Sequence, residues 1–76
     1  MYLLSNLLFT SNETTIKKVM IEVYNFICSD NIETIEELES NIGTIEVNNN
    51  FIERLLNTII ETDSETLYFN VISIYQ

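Results

Sequence analysis

The hydrophobic pattern of this chain is strongest between Thr15 and Cys28, in the run TIKKVMIEVYNFIC. Wound at about 100° per residue, its apolar side chains Ile16, Val19, Met20, Ile21, Val23, Tyr24, Phe26, Ile27 and Cys28 cover an arc of roughly 220°. Lys18, Glu22 and Asn25 share the remainder. A surface helix needs an apolar stripe of only about 100° or somewhat more. The pattern therefore predicts a hub helix covered on two sides. Just upstream, Thr10-Ser11-Asn12-Glu13 fits a capping box, with Thr10 and Glu13 satisfying free N–H groups at the helix start. Glu13 precedes Lys17 by four residues, the favourable order for an ion pair along a helix. The hub runs out at Ser29-Asp30-Asn31.

A second, shorter helix opens at another capping box, Thr34-Ile35-Glu36-Glu37, with Ile35, Leu38 and Ile42 as its inward stripe. Gly43 stands where a left-handed C-terminal cap is needed. Thr44-Ile45-Glu46-Val47 alternates and reads as a short strand or an extended connector. After the turn Asn48-Asn49-Asn50, Asn50 with Glu53 starts a third helix. Phe51, Ile52, Leu55, Leu56, Ile59 and Ile60 fill one half of it, and Glu53, Arg54, Asn57, Thr58 and Glu61 the other.

The two ends of the chain are expected to form strands. Thr66 to Tyr75, TLYFNVISIY, follows the polar turn Asp63-Ser64-Glu65 and is rich in β-branched and aromatic residues. As a strand it points Leu67, Phe69, Val71 and Tyr75 one way and Tyr68, Ile72 and Ile74 the other. Such a strand needs a partner, and Tyr2–Phe9 is the longest candidate. Its Leu3, Leu4, Leu7 and Leu8 recur at helical spacing, but the pairing requirement favours a strand. The expected fold is α+β: three helices packed on a small antiparallel sheet from the N- and C-terminal strands, with a winged-helix-like arrangement as its variant, in a single domain spanning residues 1–76. The second face of that sheet, with Tyr68, Ile72 and Ile74, is then apolar and open, and offers a homodimer or partner surface.

Composition narrows the chemistry. A chain of 76 residues buries a modest share of its surface, and here a single cysteine and no histidine rule out an internal disulfide and a structural zinc site. Packing of its 46% hydrophobic residues must supply the stability. No imidazole base or triad can be assembled, one glycine makes no phosphate-cradling loop, and Cys28 on the hub's apolar arc reads as a small core residue. Asp30-Asn31-Ile32-Glu33 lacks the spacing of a calcium loop. We expect no enzyme, no metal and no cofactor. With no basic leader and no apolar run of about 18 residues, a cytoplasmic protein is expected.

The net charge is −9, from twelve acidic and three basic residues. That balance argues against direct contact with nucleic acid or with an anionic membrane, both of which are gripped by Lys and Arg. It favours a basic partner protein. Asp30, Glu33, Glu36, Glu37 and Glu39 form the densest acidic run, on or near the outer side of the second helix, and are the candidate partner-binding face. The competing reading is a plain solvated face, since Glu is a good helix former.

Thr34 to Thr62 loosely resembles a helix-turn-helix, but the turn from Gly43 to Asn50 is long and the second helix offers only Arg54 as a base. In size, acidity, Ile/Asn bias and lack of catalytic parts, the whole chain resembles small phage-encoded inhibitors of bacterial defence, such as anti-CRISPR proteins. That resemblance implies a non-catalytic inhibitor of a basic, nucleic-acid-handling protein in a bacterial host. It rests on general character, so it transfers no functional residues. The alternatives are an antitoxin or immunity-type protein that neutralises a toxin nuclease, and a dimeric winged-helix-like regulatory adaptor.

Overall fold

The computed structural model describes residues 2–76 and folds them into five helices, α1 (Tyr2–Phe9), α2 (Glu13–Cys28), α3 (Ile35–Ile42), α4 (Asn49–Thr62) and α5 (Glu65–Ser73). No residue among those described is in a β-strand. The expected sheet of N- and C-terminal strands is therefore corrected. Both segments are helical, and the winged-helix arrangement goes with the sheet.

The reason lies in spacing. Leu67 and Val71 are four residues apart, as are Leu4 and Leu8, and all four side chains are fully buried. One helical face brings such pairs together, whereas in a strand they would compete with the equally apolar opposite face. Ser64 then caps α5, its hydroxyl accepting from the Leu67 N–H at 3.2 Å. β-branched content loses to an i, i+4 pair backed by a cap. Phe69, assigned inward on the strand, is turned out to solvent by the helix and is 59% exposed.

The hub forms as expected and is covered on two sides. Its Ile16, Val19 and Val23 join Leu4, Leu8, Ile52, Leu55, Ile59, Leu67 and Val71 in the main core, to which α1, α2, α4 and α5 all contribute. Ile21, on the other flank of α2, joins Ile32, Leu38 and Ile45 in a second, smaller cluster beneath α3. Met20 and, from outside the hub, Val47 and Phe51 pack against both. Coverage stops before the helix does: Phe26, Ile27 and Cys28 are exposed, so Cys28 is a surface thiol and not the core residue its place on the arc suggested.

Helix ends show which polar residues punctuate the chain. Thr34 caps α3, its hydroxyl accepting from the Glu37 N–H at 3.1 Å. The α2 cap is Asn12, whose Oδ1 accepts from the Thr15 N–H at 2.8 Å. Thr10, expected in that role, donates its hydroxyl back to the Asn6 carbonyl at 2.7 Å and closes α1. Likewise Asn48, two residues before the expected Asn50, caps α4 through the Phe51 N–H at 2.9 Å. Gly43 does take a positive φ of 92°, with an extended ψ of 171° that sends the chain straight into the connector to α4. Ser11 and Tyr75 share a 2.7 Å hydrogen bond that ties the α1–α2 turn to the end of the chain.

Candidate functional site: the acidic face of α3

Local chemistry first fixes the connector that leads into α3. Asn25, on the polar side of the hub, donates from Nδ2 to the Ile32 carbonyl and accepts at Oδ1 from the Ile32 N–H, both at 2.9 Å. An asparagine amide can satisfy one backbone donor and one acceptor at once. This pair holds an irregular segment against a helix and lets Ile32 be buried. Asp30 accepts from the Asn31 N–H at 2.8 Å and so shapes the same turn.

A second strut stands on the far side of α3. Glu39 Oε2 lies 3.0 Å from Lys17 Nζ and accepts from the Ile45 N–H at 2.9 Å. Lys17 also pairs with Glu13 at 3.3 Å, the helical ion pair expected from their spacing. The Ile45 N–H, and next to it the Lys17 ammonium, hold the Glu39 carboxyl below the usual carboxylate range. Glu39, with Glu13 adding to it, raises Lys17 above the ordinary lysine value against the opposing effect of partial burial. Glu39 therefore binds α3 and its outgoing connector to the hub, and its charge is neutralised within the fold.

The five acidic candidates divide accordingly. Asp30 shapes a turn and Glu39 is a strut. Glu37 caps, its carboxylate accepting from the Glu33 N–H at 3.3 Å. Glu33 and Glu36 are exposed and form no ion pair among the described residues. What faces solvent is a patch at the N-terminus of α3, with Glu36 and Glu37 in its first turn and Glu33 just before the Thr34 cap, where the helix dipole favours negative charge. Glu33 also lines a shallow groove with Lys18, Ile21, Glu22, Ile32 and Ile74, which adds the hub's Glu22 to the acidic surface.

The proposed sheet surface of Tyr68, Ile72 and Ile74 is not assembled as such. The three side chains are half-buried and pack against the main core from α5 and the turn after it. Tyr68 lines a hollow between α4 and α5 with Ile59, Ile60, Asp63 and Glu65, and its ring meets Phe69 edge-on at 6.3 Å. Ile74 instead borders the groove of Glu22 and Glu33. Spacing alone did not separate the acids that work inside the fold from those that face water.

No group of three or more His, Cys, Asp or Glu among the described residues is arranged to hold a metal ion. None of the helices described is long and apolar enough to cross a membrane. The site can present fixed negative charge beside an apolar groove floor, which is a means of recognition. No family model, no curated protein and no solved structure matches this chain.

Proposed function

We propose that this chain is a non-catalytic protein-binding inhibitor that docks on a basic, nucleic-acid-handling protein through the first turn of α3, in the manner of phage proteins that block bacterial defence in the host cytoplasm. The observation that carries the reading is the division of labour among the acids. Glu39 is committed to Lys17 and Ile45, while Glu33 and Glu36, exposed and in no ion pair among the described residues, flank the start of a helix anchored from both ends. Anchoring matters for binding, since a preordered charged surface loses less entropy when a partner seats on it. With a net charge of −9, the chain is steered toward cationic surfaces and away from phosphate backbones. Ile32 and Ile74 at the groove floor supply apolar contact beside the charges.

The test is capture from a bacterial lysate on immobilised protein, read by mass spectrometry, at low salt and after a high-salt wash. The reading expects one basic nucleic-acid-handling protein, held at low salt and released by salt. Replacing Glu33, Glu36 and Glu37 together by Lys should abolish its capture. Undiminished capture by that variant would refute the α3 face as the docking surface.

A further inference from the structure

Three of the surface hollows bear on association, and two of them contain carboxylates: Asp63 and Glu65 in one, Glu22 and Glu33 in the other. The third, a groove of about 290 Å³ between α2 and α4, is lined by Met20, Tyr24, Ile27, Phe51, Arg54 and Leu55 among others, and no acidic residue lines it. It is the place where the hub's apolar arc outruns its cover, and Ile27 on its wall is 54% exposed. In a chain of net charge −9, two copies repel least where carboxylates are few and each can face a base. This groove is such a surface.

A row on α4 that starts in the groove wall with Arg54 and Thr58 and runs one turn past it to Glu61 says more. Arg54, Thr58 and Glu61 follow one another at i, i+4 and i+7 and share a helix face. Arg54 and Glu61 are exposed, and both ion pairs found among the described residues belong to Lys17, so neither Arg54 nor Glu61 is in one of them. Arg54 instead lies over the Phe51 ring, its guanidinium carbon 6.0 Å from the centroid. When two such helices lie antiparallel about a two-fold axis near Asn57 and Thr58, Arg54 of each copy stands opposite Glu61 of the other. The row is complementary to itself, as an isologous contact requires.

We infer that the α2–α4 groove is a homodimer interface whose occupant is the same groove of a second copy, with α4 packed antiparallel on α4 and two symmetric Arg54–Glu61 ion pairs flanking the axis. Apolar side chains left open in one copy close on those of the other, and the arrangement puts no acidic hollow into the contact. None of the α3 residues lines the groove, so the dimer leaves the α3 face free. This inference stands independently of the reading of α3.

Sedimentation of the purified chain over a range of concentrations tests it, since the dimer has twice the 8.9 kDa mass. Arg54→Glu and Glu61→Arg should each weaken the dimer by about tenfold or more, by setting like charges opposite each other twice. The double variant R54E/E61R restores opposite charges in exchanged positions and should recover the dimer. Both side chains are exposed, and circular dichroism confirms that each variant is folded. A chain that stays monomeric up to its solubility limit overturns the inference. So does a dimer indifferent to the single reversals, or one that they break and the exchange does not restore.

Discussion

The two hydrophobic clusters of this protein are built on different principles. Among the described residues, the main core draws ten buried side chains, all apolar, from four helices. The second cluster has four, of which Ile21 and Leu38 lie on helices while Ile32 and Ile45 come from irregular connectors. Connectors lack a helix's own hydrogen-bond ladder, so their buried backbone groups need outside partners. Asn25 serves Ile32 and Glu39 serves Ile45. The first cluster makes the fold, and the second, tied by side-chain amides and carboxylates, holds α3 with its exposed charges.

The difference is sharpest under truncation. Leu67→Ala removes a fully buried side chain from the main core and should cost about 2–5 kcal/mol, lowering the thermal midpoint of the whole molecule. Leu38→Ala, equally buried, should fall at the low end of that range, because a cluster bordered by connectors collapses more readily around a void. Hydrogen exchange should then show α3 opening while α2 and α4 stay protected. Equal loss of protection in every helix would show one core, not two.

Next in size comes Asn25→Ala. It leaves the Ile32 N–H and carbonyl without partners and should cost about 1–3 kcal/mol, seen as a lower urea midpoint. Tyr75→Phe, which deletes only the bond to Ser11, should cost about 1 kcal/mol, seen in the same urea midpoint.

The smallest effect depends on pH. The Glu39 carboxyl is lowered on folding, so its contribution is complete above the unfolded carboxylate value of about 4.3 and is lost as pH falls through the folded value. Lys17 is raised, so its contribution is complete below the unfolded lysine value of about 10.4 and is lost as pH climbs through the folded one. Glu39→Gln should therefore lower stability between those limits and flatten both flanks of the urea midpoint against pH. An unchanged acid flank would deny Glu39 its role as a strut.

Legibility in the sequence followed the same division. The hub, the Thr34 cap, the positive φ at Gly43 and the Glu13–Lys17 pair were readable because each is a local pattern within one or two turns. The chain ends differ from expectation for two linked reasons: β-branched and aromatic content outweighed the Leu67–Val71 spacing, and the strand so expected then outweighed the Leu4–Leu8 spacing by requiring a partner. Caps shifted from Thr10 to Asn12 and from Asn50 to Asn48 where several side chains competed to cap one helix. Of the acidic site, the location on α3 was readable. The withdrawal of Glu39 was not, since it depends on a contact with Lys17 across 22 positions of sequence.

The central claim is that the charges held out by the second cluster form the docking surface, and not the acidity of the chain as a whole. Affinity for the basic protein recovered from the lysate, measured across a salt series, separates the two. Two charge-matched variants are compared with the parent chain. One carries Glu33→Lys, Glu36→Lys and Glu37→Lys; the other carries Glu46→Lys, Glu53→Lys and Glu65→Lys, at exposed positions outside the first turn of α3. The account predicts that the α3 variant loses binding and its salt dependence while the second stays close to the parent. Equal losses in both would show that net charge alone attracts the partner, and that the α3 face has no special part in holding it.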